Sequence, residues 1–339
     1  ITGDNNVAVG LNALNKNTND NNTAIGHDAM KENTSGGGNT AVGNRSLSYN
    51  TTGSANSAFG KEALTNSITS MRNTAIGYYA MRAVTTGSNN TAIGKDALMT
   101  NQTGNNNTAL GYRSLEVNTA NNNTAVGYKS LLANTSAAAV TGVGYQALAA
   151  NTTGAENTAI GSSALGANIT GGQNTAMGAY ALVANTTGSD NVAIGKNVLS
   201  TNTSGGSNVA VGNYSLNLNA TGGNNTAIGF YALGKNTASD GTAVGISALK
   251  ENTTGDANTA VGANALEKNT TGNANTASGY NALNFNLDGH NNAATGYKAL
   301  KTNTTGTGNT ANGSRALENN TVGNENTALG SNALEKNNN

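Results

Sequence analysis

The sequence contains no cysteine, no proline and no tryptophan. Without cysteine there are no disulfides, no thiolate metal sites and no cysteine nucleophile. Without proline the collagen-like and proline-rich disordered classes fall away, although 45 glycines are present. Aromatic residues make up 4% of the chain, too few for a large aromatic-rich core. Large apolar residues are also scarce: Leu, Ile, Val and Phe together number 53 of 339. That share lies below the roughly 20% that marks disordered chains, but the disorder signature also requires a high net charge. Here 17 Lys and Arg balance 17 Asp and Glu. Neutral, scattered charge argues against a nucleic-acid partner, which needs a concentrated basic face. No apolar run approaches the roughly 18 residues of a membrane span. No basic segment followed by an apolar stretch opens the chain. Because it begins at Ile1, it is expected to be a fragment of a longer protein.

What is present is a repeat. The string Asn-Thr-Ala-Ile/Val-Gly recurs, with variants, from end to end in twenty units, its glycine falling at Gly10, Gly26, Gly43 and onward to Gly313 and Gly330. Sixteen of the nineteen spacings are 17 residues; the three ending at Gly26, Gly127 and Gly245 are 16. The copies supply columns. Four residues after the glycine stands a leucine column: Leu14, Leu47, Leu64, Leu98, Leu115, Leu131, Leu148, Leu165, Leu182, Leu199, Leu216, Leu233, Leu249, Leu266, Leu283, Leu300, Leu317 and Leu334, with Met30 and Met81 in the other two units. Two residues before the glycine stands alanine in every unit except at Gly142. Charged residues such as Asp28, Lys61 and Glu62 fall in the variable columns. Fixed small and apolar columns beside variable polar ones describe a coil with an inside and an outside.

The expected fold is therefore mainly β: one elongated solenoid over residues 1–339, built from about twenty 17-residue coils. Each coil should hold a short Thr-Ala-Ile-Gly strand. A short helical or 3-10 turn at the Ala-Leu segment should follow, slightly preferred over a second strand. Asn-Thr-Thr-Gly supplies turn chemistry, since Asn tolerates the left-handed region and Gly enters it cheaply. A lone coil buries too little to be stable, so stacking and ladders of identical Asn and Thr side chains must supply the rest. The alanine and the Ile/Val that follows it are both restricted, yet strand neighbours face opposite ways. Either the backbone turns both inward or a second chain covers one of them.

The run Asn157-Thr158-Ala159-Ile160-Gly161-Ser162-Ser163-Ala164-Leu165 resembles repeats of bacterial surface proteins and phage tail-fibre-like proteins. Its Ala-Ile/Val-Gly core is similar to the head repeats of trimeric autotransporter adhesins. The resemblance covers residues 6–336 and implies an elongated, often homotrimeric β-solenoid fibre projecting from a cell or virion surface. Autotransporter heads use a shorter unit, so their coil geometry does not transfer directly.

Catalytic constellations are missing. His27 and His290 lie in different columns far apart in the repeat, so His-based triads and metal clusters are unsupported. The chain is expected to be no enzyme and to use no cofactor. The Asn-Thr-Thr turns read first as a ladder, but they also fit the N-glycosylation acceptor pattern. The candidate acceptors are Asn33, Asn50, Asn101, Asn134, Asn151, Asn168, Asn185, Asn202, Asn219, Asn252, Asn269 and Asn303. Ten of eleven tyrosines follow the motif glycine within two residues, among them Tyr78, Tyr112, Tyr128 and Tyr145. They are expected to shield the thin core or a chain interface, with a sugar-binding stripe as the other reading. Neither end of the repeat carries a divergent capping unit, which favours end-to-end association. The expected partners are copies of the chain, as a homotrimer or filament, then surface glycans or a host receptor. The expected role is a structural fibre or stalk outside the cell, with a lateral binding module as the alternative. The strongest departures from the repeat are Ser67–Met71, Ala137–Thr141 and Phe285–His290, and their scatter favours the structural role.

Overall fold

A computed structural model describes residues 3–337. The chain forms two compact units, Ile1–Thr170 and Gly171–Asn339. The first holds ten three-residue strands, from Val7–Val9 to Thr158–Ile160. The second holds ten more, from Thr175–Met177 to Thr327–Leu329. Within each unit successive strands pair in parallel, one per coil and in strict register. Thr74, Ala75 and Ile76, for example, lie opposite Thr91, Ala92 and Ile93. Each unit is thus a parallel β-solenoid with coils of about 17 residues.

The Ala-Leu segment is not helical, and among the described residues no helix forms. The coil at residues 157–173 shows what replaces it. Three overlapping turns close through Ala164 N–H to Gly161 O (3.3 Å), Gly166 N–H to Ser163 O (3.2 Å) and Asn168 N–H to Leu165 O (3.1 Å). The third residues of the first two turns, Ser163 and Leu165, have φ of +54° and +50°. A bonded turn with positive φ at its third residue is type II. The leucine column repeats this left-handed conformation in every coil, Met30 and Met81 included. A helix would satisfy the leucine amide within its own segment. Here that amide bonds to the next coil instead, as from Leu148 N–H to Ala164 O at 3.0 Å. The segment is shorter than a stable helix needs, and stacking offers every coil the same external acceptor.

Holding a leucine left-handed costs about 1–2 kcal/mol. Burying its side chain returns about 1.5–3 kcal/mol, so the strained conformation is sustained wherever the leucine is fully covered. Every spine leucine from Leu14 to Leu317 is fully buried, as are Met30 and Met81. Leu334, in the last coil, is 51% exposed. The strand alanines from Ala24 to Ala328 complete a narrow core.

The three 16-residue coils lose their residue in the Asn-Thr-Thr-Gly turn. In a 17-residue coil the Asn amide reaches a carbonyl three residues on, as from Asn33 to Gly36 at 2.9 Å. In the short coils it reaches only two, from Asn17 to Asn19, Asn118 to Ala120 and Asn236 to Ala238. The deletion is absorbed there, and strand register is unchanged across it, with Thr108 opposite Thr124.

Candidate functional site

The asparagine that opens the turn points inward. All twelve candidate glycan acceptors, Asn33 to Asn303, are buried. Within each unit they line a ladder in which the amides donate to the Asn carbonyl of the preceding coil; Asn101, preceded by Val84, donates to Gly104 O instead. Examples are Asn50 to Asn33 (2.6 Å), Asn151 to Asn134 (3.1 Å), Asn168 to Asn151 (2.7 Å) and Asn269 to Asn252 (2.7 Å). The acceptor pattern presumes a surface turn with an accessible Nδ2. In the folded coil that nitrogen is enclosed and already donating, so a transferase can reach it only before folding. A second ladder, not separated from the first in the sequence reading, runs through the Asn that begins each strand motif. There the Asn Oδ1 accepts the backbone N–H of the next coil's Asn, as from Asn107 to Asn90 at 2.9 Å. Both ladders satisfy polar groups that would be costly to bury alone.

The strand presents the opposite face to solvent. Alanine is buried while the Thr before it and the Ile/Val after it face out. The column after the alanine in the first unit runs Val9, Ile25, Val42, Phe59, Ile76, Ile93, Leu110, Val126, Val143 and Ile160, of which Val42, Val126 and Val143 are half-buried and the rest exposed. Ile93, the most covered of its isoleucines, is still 37% exposed. In the second unit the column holds Met177, Ile194, Val211, Ile228, Val244 and Val261, turns polar at Ser278, Thr295 and Asn312, and ends on Leu329. The backbone therefore does not turn both restricted residues inward.

Beside this column lie the tyrosines that directly follow the glycine. Tyr112, Tyr128 and Tyr145 stack from coil to coil at 5.5 and 5.4 Å, and Tyr280 stacks on Tyr297 at 5.8 Å. Lys95 lies between the rings of Tyr78 and Tyr112, and Lys129 over Tyr128. The rings are exposed and add width to the apolar column rather than covering the core.

Outward charges pair between neighbouring coils. Lys16 meets Glu32 and Lys235 meets Glu251, both at 2.5 Å. The Lys235 bond holds the Glu251 carboxyl below its usual range, and the amide of Asn12 does the same for Asp28 at 2.9 Å. His27 lies beside Asp28, and the Nδ1 of His290 accepts the Asn273 N–H at 3.0 Å. Among the described residues no three His, Asp or Glu side chains gather where they could hold a metal ion. No helix among them is long and apolar enough to cross a membrane.

The first unit also carries an open groove of about 640 Å³ lined by Glu32, Tyr49, Thr51, Asn66, Ile68 and Thr85. These residues flank the inward Asn column on either side. The groove overlaps the sequence departure at Ser67–Met71, where the ladder itself is replaced by Ser67 and then Val84. Ser67 bonds Ser70 there at 2.6 Å. Nearby, Glu62 pairs with Arg82 at 3.0 Å and lies 3.9 Å from Arg45.

No known protein-family model matches the chain, and no curated protein matches it.

Proposed function

We propose that the chain is a structural segment of an extracellular fibre or stalk, built by coil stacking and by association of copies through the outer strand face. The observation that carries this reading is the exposed Ile/Val column. The variable outward columns accept charge, amide and hydroxyl freely and the outward column before the alanine is mostly threonine, whereas this one is apolar in all ten coils of the first unit and seven of the second. Strand propensity favours β-branched residues at such positions, but Phe59, Leu110 and Met177 share the apolar character without the branching. A column kept apolar although exposed in the single chain is suited to being covered in an assembly.

The size of the face supports the same reading. Ten strands about 4.8 Å apart, each contributing the residues from Thr to the tyrosine position at about 3.3 Å per residue, give roughly 45 by 13 Å. That is about 600 Å² before side-chain relief, the upper end for a monomer's largest apolar patch. It approaches the about 800 Å² per partner of a standard interface. A partner must present a matching array at the coil spacing, and the chain's own face does so. The resemblance to tail-fibre and adhesin repeats fits a surface location.

Light scattering after size exclusion tests the proposal. The chain should run as an oligomer, and Ile76→Lys with Ile93→Lys should shift it toward monomer without lowering its thermal midpoint. A wild-type chain that stays monomeric at high concentration, or a double variant that associates unchanged, refutes it.

A further inference from the structure

The groove over residues 32–85 is made where the repeat is broken, and its chemistry differs from that of the outer strand face. The residue before the inward Asn varies from coil to coil, from Ala150 and Ala184 to Lys235 and Phe285, whereas the residue after it is mostly threonine, as at Thr152 and Thr186. Here Tyr49 and Ile68 stand in those flanking columns, both about 45% exposed, and wall a cavity of about 640 Å³. That volume falls within the roughly 300–1,000 Å³ of small-molecule sites.

The polar groups around the cavity are mostly engaged on one side and free on the other. Arg45 donates to the Tyr49 hydroxyl at 3.1 Å, which fixes the ring and leaves its face open. Glu32 is paired with Lys16, so the groove carries no uncompensated carboxylate. The Thr51 and Thr85 hydroxyls donate to Ile68 O at 2.9 Å and Gln102 O at 3.1 Å, leaving lone pairs to accept. The Asn66 side chain is exposed and offers both a donor and an acceptor.

We propose that this groove binds a neutral saccharide, a pyranose ring stacking on Tyr49 and Ile68 while its hydroxyls meet Glu32, Thr51, Thr85 and Asn66. The charge balance disfavours an ionic ligand. The ring of acceptors around an apolar floor suits a molecule with hydroxyl donors at its edge and C–H groups on its face. A purely apolar ligand would bury those acceptors without partners. The groove lies on the residues flanking the inward Asn, apart from the Thr, Ile/Val and Tyr columns, so self-association through the strand face leaves it open.

Titration of the full chain with cellotriose, tri-N-acetylchitotriose and mannotriose, followed by calorimetry and saturation-transfer NMR, tests the proposal. At least one should bind at millimolar concentration. Tyr49→Ala should weaken that binding about tenfold, the worth of one aromatic stacking contact. Tyr49→Phe should retain binding, because the ring rather than the hydroxyl does the stacking. Tyr180→Ala, an exposed tyrosine outside the groove, should leave it unchanged. Thermal melts should match across the three variants. No binding by any of the three sugars overturns the proposal, as does Tyr49→Ala binding like wild type or Tyr180→Ala losing as much. A monomeric chain that binds sugar removes the fibre reading and leaves this one standing; an oligomer that binds none does the reverse.

Discussion

Replacing Asn151 by Asp changes one NH₂ to oxygen inside the ladder, and its consequence follows from three bonds. The Asn151 amide donates to Asn134 Oδ1 at 3.1 Å and to Gly154 O at 3.0 Å, while its own Oδ1 accepts from Asn168 at 2.7 Å. Asp keeps the acceptor and loses both donations, so its second oxygen faces two other oxygens at hydrogen-bond distance. Leaving a buried polar group without its partner costs about 1–3 kcal/mol, so the two together should cost roughly 2–6 kcal/mol at neutral pH. Burial and the facing oxygens both disfavour the carboxylate, raising its pKa above the unfolded value of about 3.9. The folded state then holds more protons than the unfolded one. The variant should therefore lose stability as pH rises from about 4 through the folded pKa, and come closest to wild type in acid. A protonated carboxyl also restores one of the two donations. Asn151→Val is the control, since Val84 already occupies this column and the next coil's Asn101 turns its Oδ1 to the Gly104 N–H at 2.9 Å. Its cost should not vary with pH. Urea midpoints across pH 4 to 8, with hydrogen exchange to read local opening in a repeat stack, provide the measurement. An Asp variant as stable as wild type at pH 7, or one whose deficit relative to Asn151→Val does not shrink in acid, refutes the buried ladder.

Two further substitutions test the backbone. Leu98 sits fully buried at φ +51°, so Leu98→Ala should cost about 2–5 kcal/mol. Leu98→Gly should cost no more, because relief of about 1–2 kcal/mol of left-handed strain offsets glycine's usual disadvantage; urea midpoints placing Gly clearly below Ala would contradict the turn geometry. Gly94 has φ +137°, and a Cβ there would lie 2.5 Å from Gly111 O, so Gly94→Ala should cost several kcal/mol, about 2–6 in all from strain and overpacking. Gly166→Ala should cost much less, since Ala149 and Val183 already occupy its column and a Cβ there would come no closer than 3.2 Å to Ser163 O; equal losses in thermal melts would show that neither φ nor the close approach reserves the motif glycine.

The repeat length, the leucine spine, the short strand in each coil and the three coils that are one residue short follow from the columns. Twenty copies expose which positions tolerate change, and stacking identical coils forces identical residues into register. The sequence break at Ser67–Met71 likewise marked the ground on which the groove is built. Which way each column faces was decided only by the folded backbone. Leucine carries no signature of a left-handed conformation, and Ala-Leu reads locally as a helical turn. The coil-to-coil bond of Leu148 to Ala164 overrides that preference, because the next coil supplies an acceptor the segment alone does not have. The same turns swing the Asn of Asn-Thr-Thr inward, converting an apparent surface acceptor into a buried rung. They also leave the Ile/Val column outside. Tyr49 and Glu32, 17 residues apart in separate coils, border one cavity only once the coils are stacked.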